Sequence, residues 1–481
     1  MKKIILILLT ILMTAPMLRA ENVGVPAECE DVMLQAFYWD SYDGNKSSTK
    51  YGRTKWIDLL KDTAVINAYF DLVWLPPSAK AGSEGVGYNH KQLSNQNSDW
   101  GTKGKLDELI AALHRGNTKV LADIVINHRA NKSNWCDFEV DKFGGYGSFQ
   151  LTEAHICSDD ECFQDESSSC YGSEVHGAPD TGSHFDGLRD IDHTSDYVHE
   201  WAIAYLNWMK DTMKYDGFRH DMTLGFHGSY LGMYNVASEP YLSVSELWEG
   251  IDRQKQHLEE TGYNTMIFDF QQKYELHKAI VKGSYSKLKK NDNSFRGQGL
   301  ERYAVTFIDN HDTFERESYG SNQYAGQYCD LSKADIKAKV LQAYAYILSM
   351  PGVPCVFWPH WVRYKDEINM MIAIRKLAGI HSESQVLEET SGSYSYSAVI
   401  QGHNRKVLLR LGKNRDKNTP SGYFKGAEGD HYSVFYEVGE GIEEVNREEL
   451  RVKNGEKFIR NGQLLIRVGE NVFDATGRMV E

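Results

Sequence analysis

Beyond its first twenty residues the 481-residue chain has no apolar run of the roughly 18 residues that a membrane-spanning helix needs. It also lacks a long basic stretch, and its net charge is −14, with 53 Lys and Arg against 67 Asp and Glu. Proteins that neutralise nucleic-acid phosphates need clustered cations, so this balance excludes a nucleic-acid partner. No glycine-rich phosphate turn follows an early strand-like segment, which argues against nucleotide-dependent chemistry. The seven cysteines form no tight CxxC pairs and no regular Cys/His spacing, so a zinc site is not indicated.

What is present is a folding chain with a large core. Hydrophobic residues make up 41% and aromatics 12%, far from a disordered composition. The length allows two or three domains. Ten Trp and 28 Tyr offer flat faces that suit sugar rings as well as core packing.

The first twenty residues read as a secretory signal peptide: Lys2 and Lys3, an apolar run from Ile4 to Met13, then Ala15, Pro16 and Ala20. Cleavage after Ala20 leaves an exported mature chain (periplasmic, cell-surface or secreted) without membrane insertion. Cys136, Cys157, Cys162 and Cys170 crowd into one stretch, whereas Cys29, Cys329 and Cys355 are dispersed. One or two disulfides within 136–170 are expected, with at least one thiol left over.

Short apolar runs bounded by Gly, Pro, Asn or Asp occur at Val32–Phe37, Leu72–Leu75, Val120–Ile126, Asp216–Arg219, Tyr241–Val244, Thr265–Phe268, Ala304–Ile308 and Val353–Trp358. Each reads as a buried parallel strand. Helical stretches at 53–67, 104–116, 196–214, 251–261, 332–349 and 366–380 alternate with them. In 196–214, Tyr197, Trp201, Tyr205 and Trp208 share one helical face and read as core. The alternation predicts an α/β fold, a (β/α)8 TIM barrel. Residues 129–190 interrupt it after the third strand with a Gly-, Ser-, Asp- and Cys-rich irregular insertion. Past about residue 385, period-two runs at Tyr394–Gln401, Lys406–Leu411 and His431–Glu437 predict an antiparallel β-sheet domain. The expected organisation is a signal peptide at 1–20 and a catalytic barrel at 21–385 holding the insertion 129–190. A β domain at 386–438 and an unassigned extension at 439–481 follow; in the extension Leu464–Val468 and Asn471–Phe473 hint at further β structure.

Catalytic groups of such barrels lie where strands run out at the C-terminal face. Four acids meet that condition: Asp123 in the third strand, Asp221 closing the fourth, Glu246 closing the fifth and Asp312 after the seventh. Glycosidic bond cleavage needs one protonated and one ionised carboxyl group. Arg219 stands two residues before Asp221, on the same face of the strand, where it can keep that carboxylate ionised.

The segments Asp-Ile-Val-Ile-Asn-His (123–128), Gly-Phe-Arg-His-Asp (217–221), Val-Ser-Glu-Leu-Trp (244–248) and Phe-Ile-Asp-Asn-His-Asp (307–312) resemble the four signature segments of the α-amylase family, glycoside hydrolase family 13. Val-Trp-Leu-Pro-Pro (73–77), the stretch 345–355 and Gly-Ile-His-Ser-Glu-Ser (379–384) are similar to plant-type members, and the resemblance spans roughly 30–437. It implies Asp221 as nucleophile, Glu246 as general acid/base and Asp312 as transition-state stabiliser. His128, Arg219 and His311 would surround the sugar ring at the cleaved bond, Tyr88 would stack on it, and Asp123 would orient its neighbours. It also implies a structural calcium ion held by Asn127, Asp180 and Asp190 with the carbonyls of Ser183 and Gly225. Departures from the family pattern are Leu224 where Lys or Arg is usual, His220 in place of an apolar residue, and Gly299–Leu300 in place of a tandem Trp.

The reading is thus a retaining endo-hydrolase of α-1,4-glucosidic bonds in starch, glycogen and maltooligosaccharides, acting as a monomer. An α-glucan transglycosylase of the same family and a non-catalytic starch-binding protein are the alternatives.

Overall fold

A computed structural model describes residues 22–43, 51–289, 293–314 and 330–438, and the backbone of three strands between 456 and 474. The signal segment 1–20 and Cys329 lie outside the described residues.

Eight parallel strands close into a barrel in sequential order. They are β1 (Met33–Gln35), β2 (Leu72–Trp74), β3 (Lys119–Ile124) and β4 (Gly217–His220), followed by β5 (Ser243–Ser245), β6 (Met266–Phe268), β7 (Ala304–Phe307) and β8 (Val353–Phe357). Each lies inside or beside one of the expected apolar runs. β1 closes the ring by pairing with both β2 and β8, with Met33 opposite Leu72 and Cys355. Nearly every strand residue is buried, because side chains on one face fill the barrel and those on the other meet the helices. At the start of β4 only glycine fits: a Cβ on Gly217 would stand 2.2 Å from the carbonyl oxygen of Leu242.

The outer layer comprises α1 (Trp56–Tyr69), α2 (Lys103–Arg115), α3 (Asp196–Asp211), α4 (Gly228–Ser238) and α5 (Ile251–Glu260), then α6 (Phe270–Lys282), α7 (Ala334–Ser349), the short α8 (Trp358–Arg363) and α9 (Lys365–Ala378). In α3, Trp201, Tyr205 and Trp208 are buried as expected of a core stripe. Two long helices, α4 and α6, go beyond the expected set. α4 carries Gly228 and Gly232 and has no polar face to mark its period; a Cβ on Gly232 would meet the backbone of Thr261. α6 is started by Asp269, whose Oδ1 accepts from the Gln272 amide over 2.9 Å.

The insertion after β3 is clipped shut at its base. His128–Arg129 pairs antiparallel with Arg189–Asp190, and Arg129 forms a fully buried 2.8 Å ion pair with Asp141. A disulfide joins Cys136 to Cys170, while Cys157 and Cys162 are free and buried.

Five antiparallel strands follow the barrel: β9 (Gln385–Ser391), β10 (Tyr396–Gln401), β11 (Lys406–Leu411), β12 (Tyr423–Gly429) and β13 (Tyr432–Glu437), in the order β9-β10-β11-β13-β12. The three inner strands are those with the period-two signal. β9 and β12 are sheet edges, β9 mostly exposed and β12 mostly half-buried, so alternation does not mark them. Arg296 ties the barrel to β9 through a 2.7 Å ion pair with Glu389. In the extension, β14 (Glu456–Arg460), β15 (Gln463–Val468) and β16 (Asn471–Asp474) form an antiparallel three-stranded sheet.

Candidate active site

The C-terminal ends of the barrel strands open into a cleft of about 720 Å³ that includes Tyr88, His128, Asp221, Glu246, His311 and Asp312 in its walls. Asp221 follows β4 directly, and Glu246 follows β5. Their backbones are laced together: the Glu246 amide donates to the His220 carbonyl over 2.9 Å, and the Thr223 amide donates to the Glu246 carbonyl over 3.1 Å. Met222, next to Asp221, adopts a left-handed conformation with φ 43°. That turn brings its amide to 3.1 Å from Oε2 of Glu246.

Arg219 is the electrostatic centre. One terminal nitrogen of its buried guanidinium lies 2.7 Å from Oδ1 of Asp123 and 2.7 Å from Oδ1 of Asp221. The other lies 3.0 Å from Oε2 of Glu246. One cation therefore serves three carboxyl groups, too few positive charges to hold all three ionised without strain. Burial pushes Glu246 up to about 7 against the pull of Arg219, with Asp221 and Asp312 adding to the rise. Burial likewise lifts Asp221 to about 6 against Arg219. Both carboxyl groups are thus raised above the ordinary carboxylate range, which favours one of them staying protonated near neutral pH, as a general acid requires.

A hydrogen-bonded frame holds the floor. Asp123 accepts from the Trp74 indole over 3.0 Å and from the Tyr88 hydroxyl over 2.8 Å. The Tyr88 hydroxyl is also 2.8 Å from Nε2 of His311, which is 3.1 Å from Oδ2 of Asp312. Gln35 on β1 places its amide nitrogen 2.9 Å from Nδ1 of His311, leaving Nε2 as the N–H that faces Tyr88 and Asp312. The rings of Trp39, Tyr88 and His311 lie within 18° of parallel, with centroids 5.4–6.0 Å apart. They make a flat aromatic platform, and Asp123 helps to hold it without lining the cleft. His128 donates from Nε2 to the Tyr88 carbonyl over 2.9 Å, and burial pushes its pKa down to about 4. The ring is therefore neutral and donates to that carbonyl.

The structure brings together all seven residues expected around the reacting ring. It adds aromatic groups that sequence reasoning missed: Trp39 beyond β1, Phe185 stacked on His128 at 4.0 Å and 7°, and Trp248 beyond β5. Trp248 stacks on Phe270, and its indole donates to the Tyr274 hydroxyl. The signal for Trp39 and Trp248 was their place just past a barrel strand. His220, the departure beside Asp221, faces away to Asn235 at 3.2 Å. Leu224 packs against the core, and its carbonyl accepts from the Ser183 amide over 2.9 Å.

The segments that carry the expected ion ligands adjoin one another, and Asp180 and Asp190 bring their carboxylates within 4.8 Å. A Cβ on Gly225 would stand 2.0 Å from Oδ1 of Asn127, and one on Gly182 would collide with the 224–226 backbone, so the two segments touch. Oδ1 of Asn127, Oδ2 of Asp180 and both carboxylate oxygens of Asp190 are buried with no hydrogen-bond partner among the described residues. Burial, then Asp180, Asp160 and Asp159, push Asp190 up to about 9. Orphaned oxygens and crowded negative charge are what a hard divalent cation relieves.

A family model described as alpha amylase, catalytic domain, matches residues 65–226. Alpha-amylase 3, chloroplastic, of Arabidopsis thaliana is 30% identical over 429 residues, which cover 84% of this chain and 44% of that protein. Probable alpha-amylase 2 of the same plant is 29% identical, covering 84% of this chain and 94% of that protein. The chain thus spans less than half of the first relative and nearly all of the second. Among solved structures, an α-amylase from Malbranchea cinnamomea superimposes with a TM-score of 0.60 at 16% identity, covering 85% of this chain and 96% of that one. Relatedness along most of the chain and a barrel shared with these proteins lead to one assignment: the chain belongs to the α-amylase family of glycoside hydrolases, on its plant-type branch.

Proposed function

We propose that the protein hydrolyses internal α-1,4-glucosidic bonds of starch, glycogen and maltooligosaccharides with retention of configuration. The observation that carries this reading is the single Arg219 guanidinium shared by Asp221 and Glu246. Sharing sets both carboxyl groups against one cation, on one side of the cleft, as a nucleophile and its acid/base partner require.

In the first step, protonated Glu246 gives its proton to the glycosidic oxygen as the bond to C1 breaks. An Asp221 carboxylate oxygen bonds to C1 from the opposite side, forming a β-glycosyl ester. In the second step Glu246, now ionised, takes a proton from water, whose oxygen attacks C1 and expels Asp221. Asp312, oriented by His311, stabilises the oxocarbenium-like charge and binds sugar hydroxyls. Tyr88 stacks on the ring, while His128, Arg219 and His311 surround it. The same ester would serve a transglycosylase; the curated relatives named as α-amylases favour water as acceptor.

Calcium, held by Asn127, Asp180, Asp190 and the carbonyls of Ser183 and Gly225, would supply a fixed positive charge that ties the insertion to the barrel. The unpartnered oxygens of Asn127, Asp180 and Asp190 support it. We assign 21–385 as the catalytic barrel with its insertion at 129–190, and 386–438 as the β domain. The N-terminal pattern and the Cys136–Cys170 disulfide support export to an oxidising compartment. No helix among the described residues is long and apolar enough to cross a membrane.

The test is Asp221→Asn. Turnover of soluble starch should fall by about 10⁴-fold or more while starch binding persists. Near-normal turnover would remove Asp221 as nucleophile.

A further inference from the structure

The segment that carries Asp180 and Asp190 has a third group beside it. Cys157 is a free thiol, 1% exposed. Its Sγ and one carboxylate oxygen each from Asp180 and Asp190 all lie within 4.8 Å of one another. The backbone sets this proximity: the Cys157 amide donates to the Asp190 carbonyl over 3.0 Å, and Ile156 bridges Ile191 in antiparallel register. Asp190 is fully buried, and neither of its carboxylate oxygens has a hydrogen-bond partner among the described residues. Oδ2 of Asp180 is in the same condition. A thiol is a weak donor and satisfies neither of them.

We propose that Cys157, Asp180 and Asp190 form a mixed sulfur–oxygen site that takes a thiophilic divalent cation, Zn2+ or Cd2+, in place of calcium. The inference rests on the calcium assignment for its location but adds a ligand and a second class of ion. A hard cation uses the oxygens and leaves the thiol protonated. A thiophilic cation bonds to the sulfur, and the thiol proton leaves to solvent as that bond forms. Lying within 4.8 Å of one another, the three groups can share one ion, at roughly 2.3–2.6 Å for calcium–oxygen bonds or about 2.0–2.3 Å around a smaller tetrahedral ion, whose shorter bonds draw the ligands together.

That contraction has a route to the cleft. Asp190 pairs with His128, and Phe185, from the segment between Asp180 and Asp190, stacks on the His128 ring. Drawing Asp180 and Asp190 towards Cys157 moves this wall, so a thiophilic ion should impair turnover as it displaces calcium. The other free thiol of the insertion, Cys162, stands with the Cys136–Cys170 disulfide instead and serves as an internal control.

The experiment uses the full chain, freed of metal by chelation and titrated with Cd2+ alone while the ultraviolet sulfur-to-cadmium charge-transfer band is recorded. The wild type and Cys162→Ser should develop the band at one equivalent, and excess Ca2+ should abolish it. Cys157→Ser should lose the band and bind Cd2+ at least about tenfold more weakly. Absence of the band in the wild type, or its persistence in Cys157→Ser, would overturn the proposal. If Ca2+ stabilises the protein but no cadmium band forms, the mixed site fails and the calcium assignment stands. A Cys157-dependent band that Ca2+ cannot displace would refute a shared ion position. Calcium displacement of the wild-type band can be read even if Cys157→Ser does not fold.

Discussion

The Tyr88 hydroxyl donates to Oδ2 of Asp123 over 2.8 Å, and through that bond a buried carboxylate off the reaction path fixes a ring in the cleft. The Tyr88 hydroxyl oxygen in turn accepts from Nε2 of His311, the ring that faces Asp312. Tyr88 is thus both part of the aromatic platform and the joint between two halves of the site. Asp123, with no place of its own in the cleft wall, acts by positioning.

Tyr88→Phe keeps the aromatic face and removes the joint. Hydrogen bonds to charged groups contribute about 1.5–3 kcal/mol, so kcat should drop by roughly 10- to 150-fold with a smaller change in KM. Steady-state kinetics on a maltooligosaccharide distinguishes this from Tyr88→Ala, which should raise KM as well. Equal effects of the two variants would remove the hydroxyl from the account.

The pH profile follows from the two raised carboxyl groups. Activity needs Asp221 ionised and Glu246 protonated, so kcat/KM should rise through about 6 and fall through about 7. Stability carries the opposite cost. A carboxyl group whose folded pKa exceeds its unfolded value binds more protons when folded, so its ionisation destabilises the fold. For Glu246 the penalty is absent below 4.5 and grows as pH rises to about 7. Glu246→Gln should therefore be more stable than the wild type at pH 8, on the order of 1–3 kcal/mol, and flatten that decline. Denaturant melts at pH 4 and pH 8 read the difference.

Much of this site was legible because the chemistry sits at strand ends. Asp221 and Glu246 each follow a short buried strand, and the two-residue step from Arg219 to Asp221 forces both onto one face. The platform was less legible. Trp39, Phe185 and Trp248 come from loops that meet only once the barrel has closed; Trp39 and Trp248 had only their place just past a strand to mark them, and Phe185, inside the insertion, had nothing to separate it from a core aromatic. The same holds for the fold: β10 alternates between buried and half-buried positions, whereas the edge strand β9 is mostly exposed, β12 is mostly half-buried, and neither shows a period. The partner of Cys136 is equally a tertiary fact, since Cys157, Cys162 and Cys170 are all near it in sequence.

Removal of the ion should loosen the insertion. At a calcium concentration about 100 times the dissociation constant, binding contributes about 2.7 kcal/mol, so chelation should lower the melting temperature by about 3 °C. Asp190→Asn, which withdraws a fully buried carboxylate of the proposed site, should melt at the same temperature with and without calcium. A calcium-dependent shift that survives in Asp190→Asn would place the ion elsewhere.

The central claim is that Asp221 attacks C1 and Glu246 serves both steps, which obliges the product to keep the α configuration. NMR of fresh products from soluble starch, recorded before mutarotation with calcium present, tests it most directly. The account predicts α-anomeric maltooligosaccharides as the first new reducing ends. First-formed β anomers would contradict a glycosyl-Asp221 intermediate, and the absence of new reducing ends would contradict hydrolysis itself.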